Sequence, residues 1–289
     1  MQSRAPFILA LSLIAAPALA GEARSGGKLL LTGGVSTIEG SAGAGLATWS
    51  MIAGNETEDG IGGKVHATGV ALSDFELRTY GAAIGIRNRV EISYARQDFD
   101  TGKAGALLGL GRGFTFGQDI FGLKVRVAGD SVYDQDRALP QVSVGIQYKR
   151  SRQDAIVRAV GGQHTAGVDY VVSASKVLLA HSAVLGGSVR FTKANQFGLL
   201  GFGGDKRDKY RAQFEGSAGL LLSRNLLIGG EYRTKPDNLG FAKEDDAHDA
   251  FVAWAPQRHI TVTLAYTDVG HIATFRRQRG GLLSLQGSF

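Results

Sequence analysis

The 289-residue chain contains no cysteine and only five prolines. Without cysteine it has neither a disulfide framework nor a cysteine to carry an N-terminal lipid anchor. Beyond residue 20 no run of about 18 apolar residues occurs, which excludes a membrane-spanning helix. Internal repeats and a dividing linker are also missing. A formal net charge of +6 is modest, and no nucleic-acid partner is called for. What the chain has in excess is glycine, 42 residues. Glycine in quantity without proline argues against disorder or collagen. It suits a β-barrel, where it permits bends and close packing. A hydrophobic content of 44% with mean hydropathy −0.02 is ordinary for a soluble protein. It is equally ordinary for a barrel in lipid, where only alternate strand residues face the membrane.

Residues 1–20 read as a secretory signal peptide. Arg4 supplies the positive start, Phe7 to Ala16 the apolar core, and Ala18-Leu19-Ala20 a small-x-small cleavage site. The apolar run is too short for an anchor and meets Pro17, so the mature chain is expected to begin at Gly21 and to form one barrel, residues 21–289.

Strand-like alternation recurs through the rest. Val142, Val144, Ile146 and Tyr148 share one face, and Gln141, Ser143, Gln147 and Lys149 the other. Phe121, Leu123 and Val125 oppose Lys124 and Arg126, while Ile260, Val262 and Leu264 oppose Thr261 and Thr263. Short connections (87–89, 181–182, 224–225, 257–259) are interspersed with long ones (101–117, 150–167, 194–208, 234–247, 269–279). Outer-membrane barrels show this asymmetry of periplasmic turns and external loops. The final strand places Leu283, Leu285 and Phe289 on one face, the pattern of a closing strand ending in an aromatic assembly signal.

Counting back from it gives strands near 280–289, 259–268, 247–255, 225–234, 209–222, 183–193, 168–179, 140–150, 118–129, 90–99, 75–86 and 42–53. The expected fold is therefore all-β, an antiparallel up-and-down transmembrane barrel of 12 strands. Fourteen would require strands at 61–74 and 154–161. The connection from Gly129 to Leu139 is long for a periplasmic turn. A soluble lipocalin-like barrel has the same periodicity, because alternation alone does not say which face is inside.

Several stretches also resemble a known family: Trp49, Leu77 to Ala82, Val90 to Ala95, Gly129 to Asp134, Pro140 to Gly145, Thr192 to Gln196 and Glu231 to Leu239. Together they are similar to a domain-of-unknown-function family of proteobacterial outer-membrane proteins. The resemblance covers nearly the whole mature chain. It implies a barrel in the cell outer membrane and no established activity or catalytic residue.

On the polar faces, Lys124, Arg126, Lys149, Arg190, Arg211, Arg233 and Lys235 outnumber Glu91, Glu215 and Glu231. Two readings stay open. A basic channel would concentrate anions; alternatively, inward Arg and Glu pair into a ladder that holds a narrow barrel closed. The loops at 105–111 and 195–204 are unusually apolar. Phe197, Leu199, Leu200 and Phe202 are candidates for a constriction folded into the mouth, or for a tip resting on lipid.

Gly109-Leu110-Gly111-Arg112-Gly113 lacks the strand-to-helix context and trailing Lys-Ser/Thr of a phosphate loop. The acidic groups Glu244, Asp245, Asp246, Asp249 and Asp130, Asp134, Asp136 match no calcium-loop spacing, so no metal or cofactor is expected. The six histidines show no metal-ligand spacing, and no enzyme is expected. The sequence thus favours a narrow, basic-lumen pore for small anionic solutes. A closed, adhesin-like barrel presenting its loops is the alternative, ahead of a lipid-acting enzyme. Expected partners are outer-membrane lipid and lipopolysaccharide, the barrel assembly machinery and small solutes.

Overall fold

The computed structural model describes residues 27–57 and 59–289, so the expected signal peptide lies outside the described residues. Two short strands, β1 (Val35–Ser36) and β2 (Ala42–Gly43), pair with each other apart from the barrel, and Gly43 also bridges Thr48. Twelve more form a closed antiparallel barrel. They are β3 (Ile61–Leu72), β4 (Glu76–Ile86), β5 (Val90–Asp100), β6 (Thr115–Ala128), β7 (Gln141–Ser151) and β8 (Ala166–Leu178), followed by β9 (Ala183–Thr192), β10 (Arg211–Ser223), β11 (Leu226–Arg233), β12 (Ala247–Gln257), β13 (Ile260–Asp268) and β14 (Arg279–Ser288). Each strand pairs with its neighbour in sequence, and β14 closes on β3 with Leu285 opposite Ala67. Closure pairs every strand edge, which lets such a sheet stand in lipid.

The alternation now has a direction. On β7 the apolar set faces out, with Val144 at 41% and Ile146 at 43% exposure, while Gln141, Ser143, Gln147 and Lys149 are buried inside. The same sense holds for Ile92 and Tyr94 on β5 and Phe121 and Leu123 on β6, all exposed outward. A soluble lipocalin-like barrel requires the opposite sense, so that alternative fails. Exposed Tyr80, Tyr148, Tyr170, Tyr232 and Tyr266 lie toward one end of the wall, and Trp254 and Phe289 toward the other, as in the aromatic girdles of membrane barrels.

At one end, here the turn end, the connections 87–89, 179–182, 224–225 and 258–259 are short. Arg87 and Asn88 both have positive φ (50° and 46°), which matches the twist of a tight hairpin turn. At the loop end the connections are 101–114, 152–165, 193–210, 234–246 and 269–278, with a single short one at 73–75. The loop 101–114 carries α1 (Ala104–Leu107) and the loop 152–165 carries α2 (Asp154–Ala159). The 154–161 segment is thus no strand.

The expected strand at 42–53 is replaced by β3 at 61–72, so the number remains twelve. Residues 42–53 are instead inside the barrel. Every residue from Gly34 to Gly54 is buried. The segment rises from the turn end, forms the β1–β2 hairpin, and returns to the turn end at Asn55. There the Asn55 and Gly63 N–H groups both donate to Phe289 O, at 3.1 and 2.9 Å. Its composition explains the misreading: small and apolar residues on all sides suit burial all round, not a strand with one polar face.

The long connection 129–140 covers the base of this plug. Val132 is buried against the cluster of Leu31, Trp49 and Met51. The Tyr133 hydroxyl donates to Gly27 O at 3.1 Å.

Candidate functional site

The lumen is layered, and each layer follows from which side chains the strands point inward. Nearest the turn end, Trp49 and Met51 of the plug pack against Val177, Val184, Leu227 and Phe251 of the wall.

Above this lies an ionic layer around Glu39, the only charged residue between Lys28 and Glu56. The Glu39 carboxylate is fully buried and takes Lys149 Nζ at 2.5 Å, Arg233 Nη2 at 2.9 Å and Arg190 Nη2 at 3.2 Å. The same cations are shared by wall carboxylates. Arg190 reaches Glu215 at 2.6 Å and Asp169 at 3.2 Å, and Lys149 reaches Asp169 at 2.8 Å. Three cations therefore face three carboxylates, Glu39, Asp169 and Glu215. Charges this deep are tolerated only when paired and hydrogen-bonded.

Further polar wall residues satisfy much of the plug backbone. An irregular segment shut inside a barrel has no bulk water for its N–H and C=O groups. Glu231 accepts from the Leu46 and Ala47 N–H groups at 2.8 and 2.9 Å. Glu215 accepts from Thr48 N at 2.8 Å, and Glu91 from Ala53 N at 2.8 Å. Lys124 pairs with Glu91 at 3.2 Å and donates to Trp49 O at 3.1 Å. Lys64 donates to Val35 O and Ser41 O, both at 3.2 Å. Ser143 donates to Ser50 O at 2.6 Å. Gly45, with φ at +136°, brings the bend after β2 against the wall: a β-carbon there would lie 3.1 Å from Glu231 Oε2.

Of the residues singled out from sequence, Lys124, Lys149, Arg190, Arg233, Glu215 and Glu231 therefore line the lumen as partners of the plug and of one another. Arg126 lies lower, paired with Asp130 at 2.9 Å. Arg211 shares their strand parity but stands exposed at the loop-end rim. Lys235, on the loop after β11, pairs with Glu244 at 3.1 Å. Leu283, Leu285 and Phe289 sit on the outward face of β14, where Leu283 and Phe289 are exposed.

The reading from sequence missed Glu39, Asp169 and Lys64. Asp169 shares the inward parity of Ser173 and Ser175 on β8, so the alternation already placed it. Glu39 announced itself only as a lone charge in a long uncharged stretch.

The third layer is apolar. The loop 193–210 folds into the mouth: Ser151 donates to Leu199 O at 2.9 Å, and Gln118 to Phe197 O at 3.3 Å. Phe202 is buried against Gly167 of the wall. The Arg233 guanidinium lies 4.8 Å from the Phe197 ring centre, a cation–π contact between the ionic layer and the loop above it. Over this floor is a cavity of about 420 Å³. Val70, Leu77, Phe99, Phe116 and Leu282 supply its wall, and Ile38 and Leu46 of the plug belong to its base.

No curated protein matches the sequence. Among solved structures the fold is similar to that of the "KdgM porin" (7% identity, TM-score 0.51, covering 78% of this chain and 99% of that one). It is also similar to the "NanC porin" (8% identity, TM-score 0.50, covering 78% and 98%). A looser likeness is to Omp33 of Acinetobacter baumannii, described as an outer membrane protein (9% identity, TM-score 0.45, covering 81% and 100%). At such identities the likeness is one of fold. A family profile matches residues 32–286, from the plug to the last strand, and the chain belongs to that family, described as "Protein of unknown function (DUF3034)".

Proposed function

We propose that this protein is an outer-membrane barrel that passes small solutes, held closed by residues 31–54. The observation carrying this reading is the contrast between wall and plug. Below its apolar mouth the twelve-strand wall turns mostly polar side chains inward and apolar ones outward. Among the described residues, the segment that closes its middle is held to the wall by side-chain contacts and by the connection at residues 55–60. The likeness of fold to two proteins described as porins supports the same class.

Withdrawal of the plug would carry Glu39 away with it. Lys149, Arg190 and Arg233 would then face Asp169 and Glu215 alone, and this layer would become net positive. Small anions are the solutes such a layer favours. The apolar outer belt, the girdle aromatics and the outward Leu283 and Phe289 fit insertion into an outer membrane by the barrel assembly machinery.

Planar-bilayer recording tests this. The wild-type barrel should stay silent or open rarely. Glu39→Gln should open in discrete steps, with a reversal potential displaced toward the anion in a salt gradient. Silence in both proteins overturns the pore reading. It would favour a second one, a permanently closed barrel presenting its loops, to which the many wall side chains bonded to the plug backbone lend support.

A further inference from the structure

We propose that the loop-end cavity is a binding site for a small, uncharged, largely apolar molecule carrying one hydrogen-bond acceptor. This site is distinct from the ionic layer and does not depend on whether the barrel conducts.

Three observations meet here. First, the inward positions of the wall change character along the strands. On β3, Lys64, His66 and Thr68 give way to Val70. On β14, Gln286 and Ser284 give way to Leu282. Inward Leu and Phe side chains in the outer third offer nothing to an ion or to the plug backbone and call for an apolar partner. Second, the plug and the folded-in loop do not fill the space these residues enclose, and about 420 Å³ remains. An apolar hollow is a poor home for water, which needs polar partners, and costly to leave empty. Its size lies within the range of ligand pockets, well above the 150 Å³ that suffices for benzene in an engineered protein cavity.

Third, the cavity has a polar handle. Gln196 lines it and is buried (5% exposed), and its Nε2 has no hydrogen-bond partner among the described residues. A buried amide N–H₂ left without an acceptor is uncommon, and a ligand carbonyl or ether oxygen would satisfy it. Charge on the ligand is disfavoured, because the nearby Lys235 and Arg233 are already paired with Glu244, Glu39 and Glu215. The aromatic walls, Phe99, Phe116 and Phe197, favour a flat ring system.

The test uses the full mature barrel in lipid nanodiscs, so that detergent does not occupy the site. The probes are 2-acetylnaphthalene, which has one acceptor oxygen, and naphthalene, which has none. Equilibrium dialysis against empty nanodiscs separates binding from partition into lipid. Saturable binding of 2-acetylnaphthalene at one per barrel is expected. Leu282→Trp and, from another strand, Val70→Trp should fill the cavity and lower affinity at least tenfold, with the heat-modifiable gel shift confirming that each variant folds. Gln196→Leu should weaken 2-acetylnaphthalene about fivefold while leaving naphthalene unchanged. Uptake by wild-type protein no greater than by empty nanodiscs overturns the proposal. So does saturable binding that a folded Leu282→Trp or Val70→Trp variant leaves intact, which would place the probe on the lipid-facing surface.

Discussion

Trp49 and Phe116 face the same lumen from opposite halves and meet different surroundings. Trp49 is packed on all sides by plug and wall, in a half where carboxylates, lysines and serines of the strands serve the backbone of an inserted segment. Phe116 borders open space. One barrel thus contains a lower half that is filled and largely polar and an upper half that is apolar and hollow. The wall is regular throughout, so the difference comes from what the inward positions are and from how far the plug reaches. The plug reaches up to Ile38 and Leu46, just above the ionic layer, and the described residues leave about 420 Å³ beyond it unfilled.

Substitutions at matched depths sharpen that contrast. The largest effect is expected at Glu39. Glu39→Gln leaves three buried cations facing two carboxylates, and breaking a buried ionic group of this kind costs about 3–5 kcal/mol. Urea unfolding of the refolded barrel should show that loss, or an early transition reporting release of the plug alone. Trp49→Ala should cost about as much or slightly less, ~3–4 kcal/mol, by opening a void in the filled half.

Next comes a paired test of packing. Ala44→Leu adds bulk where no space exists and should destabilise by about 1–3 kcal/mol. Val70→Leu adds bulk beside the cavity and should cost under ~0.5 kcal/mol, or stabilise slightly. Equal penalties at the two sites would erase the distinction between the halves. The smallest effect is expected at Arg211, exposed at the rim and outside the ionic layer. Arg211→Glu should move stability by no more than about 0.5 kcal/mol. It should shift the reversal potential of the opened Glu39→Gln barrel far less than Arg190→Gln does.

Much of the wall was legible in the sequence, because a strand with one face in lipid and one in a polar lumen must alternate. Val142 to Tyr148 and Ile260 to Thr267 show this plainly, and the short turns at 87–89 and 224–225 fix which end is which. β3 was harder: its outward positions include Gly63, Ala67 and Gly69, so its apolar face is faint, although Lys64, His66 and Thr68 keep the period. The plug was not legible as such. A segment buried on every side carries no period of two, and Ala42 to Ala53 reads as well for a core strand as for an insertion.

The charge balance of the polar faces was also incomplete for a physical reason. Counting wall residues alone leaves out Glu39, which belongs to no strand of the barrel, and it is Glu39 together with the overlooked Asp169 that turns an apparently basic lumen into a paired one. The pairing ladder that the sequence left open as an alternative is what this state of the molecule contains.

The central claim is that residues 34–54 occupy the lumen. The chain has no native cysteine, so a single introduced thiol reports on one place. Ser50→Cys, at a fully buried plug position hydrogen-bonded to the wall, should resist a water-soluble maleimide in the folded, membrane-inserted barrel. It should react once the protein is unfolded, and faster when Glu39→Gln is combined with it. A Lys206→Cys control in the exposed loop should react at once. Labelling of Ser50→Cys at the rate of that control, in a barrel shown to be folded, would contradict the account.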